Sequence, residues 1–281
     1  MTPIGLAHLT LLRLSPPELV AVAAQAGYDF VGVRVKAVTT GEQQYPMEPG
    51  SPMSKETLRR LDDTGLEVRD IEFLTVGATT GPADWKPALD AGAALGARTL
   101  SVVGTDTDRS RLIDTLAALA ADAHPLGIRP TLEPISYQPV ATVTEAARIA
   151  GAAGIALLVD ALHVQRGGST VDDVRALDPA LVPVLQLCDA PLEVPAHLEL
   201  PADLPLGMTA DGSVRQIEAR ARRRAVGEGE LPLAALVAAA PAGTPLSVEV
   251  PDALRAARCT DLDIARHQLA ATRTLLAGVA R

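Results

Sequence analysis

Short apolar runs recur along the chain, each followed by a polar turn and then by an Ala- and Leu-rich stretch with helical spacing. Eight runs are predicted strands: Ile4–Leu9, Val31–Val35, Val68–Phe73, Thr99–Val103, Arg129–Glu133, Ala156–Asp160, Val182–Cys188 and Leu246–Glu249. Between them the spacing predicts helices over Pro16–Ala26, Ser54–Thr64, Trp85–Leu95, Ser110–Pro125, Thr144–Ala153 and Asp261–Ala277. Ser15 is a natural N-cap for the first of these, and a glycine follows most of them, where the chain must turn back. The runs are apolar without clean alternation, which indicates parallel strands covered on the outside by helices. Eight strand–helix units fit a (β/α)8 TIM barrel, an α/β fold, occupying residues 1–281 as a single domain. A doubly wound open sheet is the alternative, but "GLAHLTLL" after the first run contains no G-x-G-x-x-G.

The rhythm breaks after the seventh strand. Residues 190–230 contain Pro191, Pro195, Pro201 and Pro205, followed by "IEARARRRAVGEGE". This is too long for an ordinary strand-to-helix loop and reads as a functional insertion or lid within the barrel domain.

Composition narrows the role. Of 281 residues, 48% are hydrophobic but only 2% aromatic, so the core must be built from Ala, Leu and Val. A net charge of −9 would repel a phosphate backbone, and stacking aromatics are scarce, so nucleic acid is not an expected partner. The two cysteines, Cys188 and Cys259, read as reduced thiols of a cytoplasmic protein. The N-terminal "MTPIGLAHLTLLRLSPPE" lacks a basic leader and reads as the first strand rather than a signal peptide. No apolar run reaches the ~18 residues of a membrane span, so no membrane is expected.

Barrel chemistry sits at the C-terminal ends of the strands. The fifth ends in Glu133 ("LEP"), the sixth in Asp160 ("VDALH") and the eighth in Glu249 ("SVEVP"). The seventh carries Gln186, with Asp189 just past it ("LQLCDA"). A charge ending an apolar strand is costly unless paired or ligated, and three carboxylates together repel one another. A divalent cation removes that conflict. Glu133, Asp160, Gln186 and Glu249 are therefore the candidate metal ligands, an all-oxygen set suited to Mn²⁺ or Mg²⁺, with Co²⁺ a third fit. Glu72 on the third strand, His8 at the end of the first and Asp189 are candidate substrate contacts. His124 and His267 fall on predicted helices as surface residues, and His197 sits unassigned in the Pro-rich segment. Arg166 and Arg220 are candidate anion-binding groups, because the planar guanidinium suits carboxylate and phosphate. Arg220 and Arg223 could close over substrate as part of a lid, with "GEGE" as its hinge.

With "AAQAGYDFVGVRV", "ALDAGAALGARTLSVVG" and "GEGELPL", these motifs resemble the xylose-isomerase-like TIM barrels over nearly the whole chain. That group includes sugar-phosphate isomerases and epimerases, ketose 3-epimerases, inosose dehydratases and 3-dehydroshikimate dehydratases. The resemblance places the metal on Glu133, Asp160, Gln186 and Glu249, with His163 beside it as a substrate or proton-transfer group. Epimerases of the group usually have His where this chain has Gln186, a position at which some dehydroshikimate dehydratases carry Gln. The implied chemistry is proton removal next to a carbonyl, with Glu133 and Glu249 as bases and His163 able to act as one near neutral pH. The first expectation is a metal-dependent isomerase or epimerase acting on a keto-sugar or keto-polyol through an enediolate. A dehydratase of the dehydroshikimate or inosose type, acting on a keto acid or polyol, is the alternative, and a non-catalytic binding barrel the third reading. Assembly into a homo-oligomer is left open.

Overall fold

The computed structural model describes residues 2–37, 42–204 and 212–279. Eight parallel strands close into one barrel: β1 (Ile4–Leu6), β2 (Phe30–Arg34), β3 (Glu67–Val76), β4 (Thr99–Gly104), β5 (Arg129–Leu132), β6 (Ala156–Asp160), β7 (Val184–Leu187) and β8 (Leu246–Val248). Neighbours in sequence are neighbours in the ring, and β8 pairs with β1 through Ile4 and Leu246 to close it. The TIM barrel expected from the apolar runs is the fold observed.

The strand bounds differ from expectation in informative ways. β1 stops at Leu6, and His8–Leu11 forms a 3-10 turn. There Thr10 Oγ1 donates to the Val248 carbonyl and pulls the turn onto the rim. Glu133 and Glu249 each lie one residue past their strand, yet their amides still donate across the ring, to Val102 O (2.9 Å) and Leu187 O (3.0 Å). Both carboxylates therefore start from backbone that the barrel fixes.

Helices cover the outside. The predicted ones are present, Pro16–Ala26 with the expected ends and others with shifted ones, such as Pro82–Ala94, Arg109–Ala123 and Asp261–Val279. Shorter helices were not expected. Ala161–Gly167 begins directly on Asp160, whose Oδ1 accepts from the His163 amide at 3.0 Å. Val214–Ala221 is capped by Ser213 and lies within the segment expected to be a lid, of which residues 205–211 lie outside the described residues. The core between helices and sheet is aliphatic, with Leu19, Leu100, Leu112, Leu116, Leu119 and Ile128 fully buried.

The floor of the barrel is closed by Phe30. A Cβ on Gly5 would lie 2.0 Å from the Phe30 ring, so β1 must carry glycine there to let the ring in. The Arg69 guanidinium lies over the same ring, 4.9 Å from its centroid. Among the described residues no helix is long and apolar enough to cross a membrane.

Candidate metal centre

Parallel register brings the strand ends together. Asp160 pairs with Gln186, and Gln186 pairs with Ser247, two residues before Glu249. One carboxylate oxygen from each of Glu133, Asp160 and Glu249 falls within 4.8 Å of the others, with all three residues buried. Gln186 Nε2 donates to Glu249 Oε1 at 3.1 Å. That bond leaves Gln186 Oε1, which is buried and has no hydrogen-bond partner among the described residues. An amide oxygen orphaned beside three clustered carboxylates fits a divalent cation held by all four side chains. The four ligands expected from the strand ends are thus brought to one place.

A fifth side chain enters the cluster, and its role there was not legible beforehand. Arg223 is 2% exposed, and its guanidinium bridges Asp160 Oδ2 (2.5 Å) and Glu249 Oε2 (2.9 Å). It also donates to the carbonyls of Ala219 (2.8 Å) and Glu249 (3.3 Å). Burial pushes the Asp160 carboxyl up, but Arg223 and His163 outweigh it and hold the group below its usual range. Burial pushes Glu249 up to about 7 against the pull of Arg223. Glu133 is raised well above the usual range by burial, reinforced by the charges of Glu249 and Asp160. Such crowding of like charge is the condition that a bound cation relieves. Cys188 lies 3.5 Å from Arg223 Nη1, and burial pushes its thiol up, which makes it an inert wall.

His163 faces the cluster, with Nε2 3.9 Å from Glu133 Oε1. Its Nδ1 lies 3.5 Å from the Ser136 amide and 3.2 Å from Ser136 Oγ. A backbone N–H can only donate, so Nδ1 is an acceptor and the ring proton sits on Nε2, toward the cavity. Burial lowers this histidine to about 4, so near neutral pH it is an uncharged N–H donor rather than the base expected. Tyr137 packs edge-on to the ring at 5.7 Å.

The cavity above the cluster spans about 580 Å³ counting the open solvent at its mouth; Glu72, Arg34, Tyr137 and Arg220 join Glu133, Gln186, Glu249, Arg223 and His163 in its wall, with Asp160 behind it. Arg220 reaches it as expected, and among the described residues no carboxylate pairs with it. Arg34 was missed, although its place at the end of β2 repeats the pattern that revealed Glu133. It pairs with Glu42 (2.8 Å) and Glu72 (3.3 Å). His8 does not line the cavity. Its Nε2 lies 2.8 Å from the Leu14 carbonyl, its Nδ1 accepts from the Arg34 amide at 2.8 Å, and its own amide donates to Glu72. Burial lowers it to about 4, and it acts as a support for Arg34 and Glu72.

Two further expectations meet a different geometry. Arg166 is buried against Glu218, and Asp189 turns inward to accept from the amides of Ala190, Gly227 and Leu231. Neither side chain lines the cavity. His124 and His197 are exposed, and His267 is half-exposed on the last helix, 2.8 Å from Glu228.

Beneath the cluster, Asp70 is 3% exposed and neither of its oxygens has a hydrogen-bond partner among the described residues. Its carboxylate lies beside Glu72 in space that only glycine leaves, since a Cβ on Gly32 would be 2.6 Å from Asp70 Oδ2 and 2.8 Å from Glu72 Oε1. Burial, then the charges of Glu72 and Glu249, raise it well above the usual carboxylate range. A folded-state value above the unfolded one means stability that is present below the unfolded value and lost as pH rises through the folded one. Asp70→Asn is therefore expected to melt higher than the parent protein at neutral and alkaline pH, by about 1–3 kcal/mol, with the gap closing toward pH 4. Thermal melts across pH check this, and an Asn variant that is less stable at pH 8 would contradict it.

The model of the xylose isomerase-like TIM barrel family matches residues 20–275. The chain belongs to that family. No curated protein matches it in sequence. Among solved structures, a xylose isomerase-like TIM barrel/4-hydroxyphenylpyruvate dioxygenase fusion protein is 19% identical with a TM-score of 0.77; the match covers 99% of this chain and 43% of that one, so the chain spans under half of that relative. The probable 3-DHS dehydratase AsbF of Bacillus anthracis, involved in petrobactin synthesis, is 13% identical with a TM-score of 0.74, over 96% of this chain and 98% of that one. A D-allulose 3-epimerase from Methylomonas sp., solved with D-allulose, is 16% identical with a TM-score of 0.65, over 97% of each chain. At these identities the likeness shows the fold alone. Chains that share this fold thus include both an epimerase and a probable dehydratase.

Proposed function

We propose that this protein is a divalent-metal-dependent dehydratase that removes a proton next to the carbonyl of a small carboxylated keto-polyol and expels a β-hydroxyl as water. The observation that carries this reading is the unequal treatment of two glutamates. Glu249 is tied down by Gln186 and Arg223, whereas among the described residues the one basic side chain within ion-pair distance of Glu133 is the uncharged His163, at 3.9 Å. One unrestrained carboxylate beside one N–H donor suits elimination. Glu133 takes the proton from the carbon next to the carbonyl, the C–O bond at the β-carbon breaks, and the Glu133 carboxyl delivers that same proton to the departing hydroxyl, which leaves as water, while the uncharged His163 holds the leaving oxygen through an Nε2–H hydrogen bond and keeps its own proton. A divalent cation held by Glu133, Asp160, Gln186 and Glu249 supplies Lewis-acid polarisation of the carbonyl when bound. Arg220, without a carboxylate partner of its own, suits the substrate's carboxylate.

The second reading is an isomerase or epimerase of a keto-sugar. It is favoured by the placement of Glu249 on the far side of the ligand cluster, three strands from Glu133. Freed from Arg223, Glu249 would be a second base, and reprotonation would replace elimination.

Incubation of Mn²⁺-loaded protein with 3-dehydroshikimate in D₂O tests the first reading. A conjugated product absorbing in the ultraviolet supports it. Deuterium entering recovered ketose substrates, with no such product, moves the assignment to the second, and neither result with any keto substrate removes both. With a carboxylated substrate, Arg220→Met is expected to raise KM by about 10–100-fold with a much smaller change in kcat. Steady-state kinetics measure this, and an unchanged KM would remove Arg220 from the carboxylate.

A further inference from the structure

Arg166 binds nothing in the cavity, yet its guanidinium is nearly saturated. Nε and Nη2 form a two-pronged pair with Glu218 (2.7 and 2.8 Å), Nη1 donates to the Leu192 carbonyl (2.8 Å) and Nη2 to that of Pro191 (2.7 Å). Both charged side chains are 1–2% exposed. Arg166 sits on the helix that Asp160 caps, so it is anchored to a barrel strand end. Its partners bracket the long segment after β7: residues 191 and 192 lead into that segment, and Glu218 lies in the helix that leads out. Beyond Glu218 on the same stretch come Arg220 in the cavity wall and Arg223 in the carboxylate cluster. Arg215 of the same helix reaches the Ser136 carbonyl at 3.5 Å, next to the group that orients His163.

We propose that Arg166 and Glu218 are a positioning pair: they staple the base of the segment after β7 and so set the helix Val214–Ala221 at the angle that delivers Arg220 and Arg223 to the cavity. The pair touches neither substrate nor cation. A buried guanidinium–carboxylate fork of this geometry fixes orientation as well as distance, which a single ammonium cannot do. The effect on turnover rests on the dehydratase reading above, whereas the effect on helix placement does not.

Hydrogen exchange of the Mn²⁺-loaded protein separates the two. In Glu218→Gln and Arg166→Lys, exchange is expected to rise on the order of 10-fold or more across residues 214–223 while the barrel strands keep their protection. With an active substrate, KM is expected to rise by about 10-fold or more in both variants with kcat changed much less, because binding rather than proton transfer loses its geometry. Arg166→Lys, which keeps the charge but loses the fork, should fail to rescue. Unchanged exchange across 214–223 in both variants, or full rescue of KM by lysine, overturns the proposal. If the parent protein turns over no keto substrate, the dehydratase reading fails while the exchange result still decides the pair.

Discussion

Glu133→Gln is expected to lower kcat/KM by at least ~10³-fold, about 4 kcal/mol of transition-state stabilisation, and to cut divalent-cation content sharply in the same preparation. Both losses follow from one carboxylate serving as ligand and base beside His163. The substitution keeps shape and removes charge, and Glu133 lies at the cavity wall rather than in the aliphatic core, so the barrel should remain folded. Elemental analysis of chelator-free protein, a Mn²⁺ titration by calorimetry and kinetics on the same samples check it. A variant that keeps its cation but loses turnover would leave Glu133 as base alone. One that keeps both would remove it from the site.

Arg223→Met is the second large effect, and its sign depends on the cation. Without metal, the substitution strands two buried carboxylates, Asp160 and Glu249, whose shared partner has gone. Breaking a buried pair in this way typically costs about 3–5 kcal/mol. A divalent cation neutralises the same two groups, so added Mn²⁺ should recover most of that loss. The variant should therefore gain more stability from Mn²⁺ than the parent does and bind it more tightly, because a positive charge no longer shares the ligands. Turnover should not return, since the guanidinium also lines the cavity. Thermal melts over a Mn²⁺ series measure the comparison. Equal cation-induced shifts in the two proteins would show that Arg223 and the metal do not share these carboxylates.

The barrel and the clustering of Glu133, Asp160, Gln186 and Glu249 were readable in the sequence for a physical reason. Parallel strands in a closed ring all end on one face, so polar residues that end consecutive apolar runs must converge. Long side chains escape that logic. Arg166 finds Glu218 across 52 residues, and Arg223 finds Asp160 across 63, both through the segment where the strand–helix rhythm fails. The charge run "EARARRR" gave no sign of which guanidinium goes inward. Asp189 read as a candidate substrate contact, but its partners include backbone amides 38 and 42 residues on, which no side-chain pattern announces. His163, three residues after Asp160, was singled out by the resemblance, which sets it beside the metal. Its role as donor came only with Ser136, 27 residues earlier in the chain, whose amide fixes the tautomer.

The Phe30 ring that fills the floor under Gly5, with Arg69 stacked on it, has a kinetic meaning. Phe30 is buried and seals that end of the barrel, which leaves the cavity walled by Arg220 as the passage to solvent. Under the proposed function, product and substrate share that passage. Inhibition by product should accordingly be competitive, and the rate of emptying the cavity, rather than the proton transfer at its bottom, becomes a natural ceiling on turnover.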